Sequence, residues 1–569
     1  MNKPTPAIVA QSAVRRFPRW VLLLFCVAYV LPGFLGRDAW KSADMVGLGF
    51  MVELARGSSD WLAPTLMGAP PESPSLLPFW LGAWSIGWLP AAVPADLAVR
   101  LPFAMLLTVA LFATWYGTYY LARSPLAQPV AFAFGGEALP ADYARAMADA
   151  GLLAFIACLG LAQLSHETTP ALAQLAFSTV LYYALSALPY RRRTPTIAMG
   201  IGLVGLTLSG APTLAVCFGL GGAAVHMLDH SRDAKHQIAA RHIGVESSMI
   251  VLTTALIAVL ATKLELWSWK IDPPLASWED LNGIAQLLLW FTWPAWPLVL
   301  WTLWRWRHQL FARQINRHIA LPAWFVLVTV TACLLTGRSD RTLLLGLPAM
   351  ATLAAFALPT LTRQVAALID WFTLLFFSTC GLIIWVIWIA IQTGVPAQPA
   401  ANVARLAPGF GSSFSGWTFA IAIVATLSWG WLVKWRVGRH RAAIWKSLVL
   451  PSGGAALCWL LLMTLWMPLL NYGQSYTIVV RRVIAQLDTP GCAETLGLAQ
   501  GQIAAFQVYG RLDLKSFGSA SNCPWLLAEP GPDLSLPESA DLSAWLPHAV
   551  ARHPVDGSGS ILIFKRKEF

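Results

Sequence analysis

From Arg19 to Leu470 the chain is a succession of apolar runs separated by short polar links. Most of the runs approach the roughly 20 residues that a helix needs to cross a bilayer. They fall at 19–36, 98–122, 146–164, 170–189, 196–209, 213–229, 247–264, 283–304, 319–336, 342–360, 367–392, 416–434 and 446–470. The expected fold class is therefore an all-α polytopic membrane protein of about thirteen transmembrane helices, set in a lipid bilayer. Only 12% of the residues are charged, against roughly 25% in soluble domains.

The basic residues test this reading. Arg15 and Arg16 precede the first span, Arg123 follows the second, and Arg191, Arg192 and Arg193 follow the fourth. "DHSRDAKHQIAARH", "RWRHQLFARQINRH", Arg363 and "KWRVGRHRAAIWK" follow the sixth, eighth, tenth and twelfth. All of these fall on one side, which the positive-inside rule makes cytoplasmic. The net charge of +11 thus serves topology, and nucleic acid is not expected as a partner. The basic start, "MNKPTPAIVAQSAVRRFPRW", is read as leading into an uncleaved first helix with a cytoplasmic N-terminus. For this pattern to hold, "LLPFWLGAWSIGWLP" at 76–90 must not span. It is short and flanked by proline, and suits an interfacial or re-entrant helix.

The domain reading is a membrane domain over 1–470, with an outer loop at 37–97, and a small C-terminal α/β domain over 471–569 outside the cytoplasm. In that tail "AAFQVYG", "CPWLLAEP" and "SILIFKRKEF" read as strands and "SADLSAWLPHAVARH" as a helix. Six cysteines lie in apolar runs and read as small core residues. Cys492 and Cys523 lie in the tail and can pair if it faces an oxidising compartment.

Acidic residues gather in the outer loops. "SADMVGLGFMVELARG" has Ser42 as an N-cap, Met45, Leu48, Met51 and Val52 at helical spacing, and Gly57 as a stop. It reads as an amphipathic helix on the outer membrane surface. Asp44 in its first turn suits the helix dipole as well as catalysis. His166 and Glu167 occupy a turn too short to leave the bilayer surface, where ionisable groups are functional candidates.

The stretch "DMVGLGFMVELARGSSDWLAPTLMGAPPESPSLLPFWLGAW" resembles the first outer loop of the lipid A aminoarabinose transferase and protein O-mannosyltransferase-like family, membrane glycosyltransferases of the GT-C superfamily. That family has an opening Asp, then "GDW", then "EKPPLLYW". Here Asp44 stands at the Asp, Asp60 and Trp61 at the Asp-Trp step, Glu72-Ser73-Pro74 at "EKP", and Leu76 to Trp80 at "LLYW". Arg100-Leu101-Pro102 is similar to the family's "RLP", Glu167 to its acidic residue after the third span, and "LSGAPTL" to its "tKGP". The Glu after the opening Asp is Met45 here, and the two family lysines are Ser73 and Ser209.

The resemblance implies transfer of a sugar from an undecaprenyl-phosphate carrier to lipid A or another periplasmic acceptor, at a bacterial inner membrane. Such chemistry needs a carboxylate to handle the acceptor proton and cations for the leaving phosphate. Asp44 and Glu167 are the expected catalytic carboxylates. Arg37, Lys41, Glu72, Arg100, His166 and Arg341 are the expected substrate-binding residues. Arg100 and Arg341, at the mouths of spans, are favoured for the donor phosphate, with Arg338 a further outer cation. No cofactor is assigned, and a divalent metal is an open alternative, with Asp44, His166 and Glu167 as its possible ligands. A transporter or flippase, or a relative that binds lipid carriers without catalysis, are the rival readings. The span cores are nearly free of charge, which argues against a transport path.

Overall fold

The computed structural model describes residues 5–40, 43–229, 237–268, 278–310, 315–337, 339–437, 443–488, 491–519, 522–530, 542–553, 555 and 560–567. Each expected apolar segment contains helix. The first half holds α1 (Arg19–Phe34), α2 (Ala43–Arg56), α3 (Leu77–Trp88), α4 (Ala95–Ala122), α5 (Pro140–Ala157), α6 (Leu161–Leu164), α7 (Pro170–Ala187), α8 (Arg193–Leu208) and α9 (Pro212–Met227). Next come α10 (Gln237–Lys263), α11 (Trp278–Phe291), α12 (Ala295–Arg305), α13 (Arg307–Leu310), α14 (Arg317–Leu335), α15 (Asp340–Leu344) and α16 (Leu347–Ala357). The membrane part ends with α17 (Arg363–Thr393), α18 (Ala397–Leu406), α19 (Gly416–Val437), α20 (Lys446–Leu465), α21 (Met467–Gln474) and α22 (Thr477–Ile484).

The molecule is a multi-pass membrane protein. Among the described residues, six helices are long and apolar enough to cross a bilayer: α4, α10, α14, α17, α19 and α20; a bent pair makes up to seven. This is fewer than the expectation of about thirteen. The interior explains the difference. α7 is buried along its length and rich in small residues, among them Ala173, Ala176, Ser178, Thr179 and Ala184. Small residues let helices pack closely but carry less hydropathy than lipid-facing Leu or Ile. α1, α9 and Leu347–Thr360 are apolar but shorter.

The expected single span at 283–304 is instead two helices, α11 and α12, bent by 91°. Pro294 lacks an N–H and precedes α12. The freed carbonyls of Phe291 and Trp293 accept from Gly160 N at 2.9 Å and Leu159 N at 3.0 Å. A broken helix inside a membrane protein needs such partners.

The tail carries β1 (Cys492–Leu496), α23 (Gln500–Val508), β2 (Asp513–Ser516), β3 (Trp525–Ala528), β4 (Trp545–Ala551) and β5 (Ile561–Arg566). The strand order is β2-β1-β3-β5-β4, with β1 parallel to β2 and β3 and the other pairs antiparallel. A disulfide joins Cys492 to Cys523. Two expectations are corrected. "AAFQVYG" belongs to helix α23, the crossover between parallel strands β1 and β2, and Gln502 Oε1 accepts from Ala499 N at 2.9 Å to start it. The expected helix at "SADLSAWLPHAVARH" instead holds strand β4, Trp545–Ala551, within its described residues 542–553. β4 is an edge strand, where Pro547 needs no inward N–H.

The tail sits on the face that carries residues 37–97. Trp40 Nε1 donates to Asn471 Oδ1 at 3.0 Å, and Ala39 N donates to Tyr509 Oη at 3.1 Å. α2 does not lie open on a membrane surface as expected. It is covered on both sides, by α3 through a Phe50–Phe79 stack and by α23. A Cβ on Gly49 would stand 2.6 Å from the Cβ of Ala504, and one on Gly47 would stand 2.6 Å from Thr168 O. These two glycines let α2 approach α23 and the turn that carries Thr168.

Candidate active site

The close approach at Gly47 brings the first turn of α2 against the turn between α6 and α7. Asp44, 2% exposed, is the clasp. Its Oδ2 accepts from Arg37 Nη2 at 2.6 Å and Trp40 N at 3.2 Å. Its Oδ1 accepts from Thr168 N at 2.8 Å and Thr168 Oγ1 at 2.7 Å. Arg37 Nη2 also donates to His166 O at 2.8 Å, and its guanidinium lies 4.6 Å from the centre of the Trp40 ring. Burial alone would raise the Asp44 pKa. Arg37, Arg100 and the two Thr168 bonds outweigh it and hold the carboxyl below its ordinary value. Asp44 is thus an ionised carboxylate with both oxygens engaged.

Glu167 is held quite differently. Its Oε2 accepts from Arg341 Nη2 at 3.1 Å and its Oε1 from Gln163 Nε2 at 3.4 Å. The carboxylate is 7% exposed. Burial, and then the charge of Asp44, push its pKa up to about 7, against the pull of Arg341 and Arg37. A carboxyl that titrates near neutrality is suited to accept and release a proton.

His166 does not join them. Its Nδ1 is 2.5 Å from Ala162 O and its Nε2 is 3.0 Å from Tyr29 O. The ring packs among Tyr29, Phe34 and Trp459, and burial takes its pKa down to about 3. It is a neutral packing residue whose backbone carbonyl, not its ring, serves the site. The expected set of Asp44, His166 and Glu167 is accordingly not arranged around a common point. Among the described residues no group of three His, Cys, Asp or Glu side chains is placed to hold a metal ion.

Beside this cluster lies a cavity of about 730 Å³. Its walls come from α2 (Ala43, Phe50), the 71–73 segment, the starts of α7 and α9, the end of α14, α15 with Arg341, and the start of α23. Of the expected binding residues, Glu72 and Arg341 line it. Arg37 and Arg100 do not; Arg100 is buried with Nη1 3.9 Å from Asp96 Oδ2. Lys41 and Arg338, like the N-cap expected at Ser42, lie outside the described residues. Thr168, Thr169 and the α23 wall were not among the expected site residues. "TTP" before an apolar run is a helix-start signal that pointed to the threonines. Nothing in the sequence brought Gln500 to the cavity.

The sequence matches no family model and no curated protein. In three dimensions it is similar to the crystal structure of ArnT from Cupriavidus metallidurans bound to undecaprenyl phosphate. The identity is 12%, the match covers 96% of this chain and 98% of that one, and the TM-score is 0.59. The fold is that of ArnT. The apo form of ArnT gives 12% identity, the same coverage of 96% and 98%, and a TM-score of 0.58. The fold expected from the first-loop motifs is therefore present along nearly the whole chain, tail included.

Proposed function

We propose that this protein is a membrane glycosyltransferase that moves a sugar from a polyprenyl-phosphate carrier to an acceptor at the periplasmic face of a bacterial inner membrane, lipid A being the first acceptor to test. The observation that carries the reading is the Glu167–Arg341 pair beside a cavity of about 730 Å³, in a chain with the fold of an undecaprenyl-phosphate-binding protein. Glu167 takes the proton from the acceptor oxygen as that oxygen attacks the sugar's anomeric carbon. The bond from that carbon to the carrier phosphate breaks, and the phosphate leaves with the electron pair. Arg341 neutralises the charge that develops on it. Asp44 positions Glu167 by fixing Thr168, its neighbour in the chain.

The prenyl tail has an apolar path beside the cavity. Trp61 and Trp84 stack at 6.2 Å, Trp80 and Trp84 stand 6.1 Å apart, and Trp84 and Trp88 stack at 6.3 Å along α3. Phe79 on the same helix lines the cavity. Exposed tryptophans suit the headgroup level of a bilayer.

The test is expression of wild type and Glu167→Gln in a host lacking such a transferase, with mass spectrometry of lipid A and of polyprenyl-phosphate sugars. A sugar-sized gain on lipid A with wild type, absent with Glu167→Gln, is expected. If carrier-linked sugar is not consumed by wild type, the transferase reading fails. If it is consumed without a gain on lipid A, the acceptor is another molecule.

A further inference from the structure

Two long helices point their N-termini into the cavity, and among the described residues no side chain closes either terminus. α7 opens as "TTPALAQ" and α9 as "GAPTLAV", each with proline at its first position. Neither has a side-chain cap or an acidic residue in its first turn. The N–H groups of Ala171 and Leu172 in α7, and of Thr213 and Leu214 in α9, have no intrahelical acceptor. Ala171, Thr213 and Leu214 line the cavity.

Thr169 is the second observation. It precedes α7 in an extended conformation, φ −118° and ψ 160°, where a threonine ordinarily caps the helix. It does not. Among the described residues its Oγ1 has no hydrogen-bond partner, although the residue is 1% exposed and forms part of the cavity wall. A buried hydroxyl without a partner is costly, and here it stands beside free N–H groups. Arg341 supplies a cation on the same wall, its side chain 39% exposed. Helix dipoles, free N–H donors, a hydroxyl and a guanidinium all favour an anion with several acceptor oxygens.

We propose that the phosphoryl group of a lipid-linked donor is cradled between the N-termini of α7 and α9, with Thr169 Oγ1 donating to it directly and Arg341 supplying the compensating charge. This rests on the transferase reading for the identity of the lipid, and on the cavity alone for the phosphoryl chemistry. Thr169 is then a binding residue, and the neutral N–H groups carry much of the work of recognising the charge.

The experiment uses the full chain in lipid nanodiscs, with undecaprenyl phosphate, undecaprenol and inorganic phosphate as separate probes. Thr169→Val keeps the side chain's shape and removes the hydroxyl. It is expected to weaken undecaprenyl phosphate binding about tenfold, to leave undecaprenol binding unchanged, and to be rescued by Thr169→Ser. Ala211→Asp puts a carboxylate at the start of α9. It is expected to raise the melting temperature through the helix dipole while abolishing undecaprenyl phosphate binding. Wild-type affinity for undecaprenyl phosphate in both variants overturns the proposal. Thr169-dependent binding of inorganic phosphate without binding of the lipid overturns the lipid assignment and gives the cradle to a free phosphate. Sugar transfer that survives in Thr169→Val with unchanged KM overturns the cradle and leaves the transferase reading standing. Thr169-dependent lipid binding without any transfer does the reverse.

Discussion

α7, α9 and α14 run between two unlike ends. At one end Arg317 opens α14 and donates to Leu185 O at 2.7 Å and Ser186 O at 3.0 Å in the last turn of α7. Its Nε also stands 3.7 Å from Asp229 Oδ2, just past the end of α9. A cation there answers the negative pole of α7. At the other end the positive poles of α7 and α9 meet a cavity, with no acidic residue in either first turn. The same helices are thus closed by charge pairing on one side and left open on the other. The contrast separates what holds the bundle together from what is available to a ligand.

The largest expected effects compare two buried arginines. Arg37→Ala leaves Asp44 buried without its cation, which costs about 3–5 kcal/mol, and it loosens the turn that carries Glu167. Arg317→Ala costs stability of the same order, because Asp229 and two helix-end carbonyls lose a donor. The two differ in activity. Thermal unfolding in detergent should fall for both variants, while transfer per folded molecule should fall only for Arg37→Ala. Equal loss of transfer would abolish the distinction between the ends.

Glu167→Gln comes next. Removing a general base typically lowers a rate by about 100-fold or more. With the amide still able to accept from Arg341, undecaprenyl phosphate binding should stay within about threefold of wild type. A rate within a factor of about ten would remove Glu167 as the base.

The pH dependence sharpens the same point. With a pKa raised to about 7, Glu167 is protonated below neutrality, so the rate should fall about tenfold per pH unit there. Stability should move in the opposite sense. A carboxyl whose folded pKa is raised binds its proton more tightly in the native state, so its contribution is present at low pH and is lost as pH rises through about 7. Glu167→Gln should flatten both profiles in that window.

The bundle was legible because long apolar runs admit few folds, and the alternation of basic clusters ordered them. Short or broken helices were less legible. The bend between α11 and α12 depends on the α5–α6 turn lending Leu159 N and Gly160 N, a tertiary fact. Asp44 and Glu167 came from loop position and resemblance, yet the bonds that hold them come from donors 124 residues away in one case and 174 in the other. The tail misled because "AAFQVYG" and "WLPHAVA" have compositions compatible with either helix or strand. Sheet topology decided them: one fills a crossover, and the other pairs with β5 as an edge.

The smallest effect belongs to the closed end. Asp370 pairs with Arg436 between α17 and α19, each with its side chain under one-fifth exposed. Asp370→Asn keeps the size and one acceptor while removing the charge. Both side chains are largely buried, but the asparagine carbonyl can still take a bond from Arg436, which keeps the loss to about 1–2 kcal/mol. Its melting temperature should therefore drop by only a few degrees, with transfer and its pH profile unchanged. If this distant substitution altered the pH profile, charge at the closed end would be reaching Glu167 through the bundle. The division into a structural end and a ligand end would then have to give way to one coupled network.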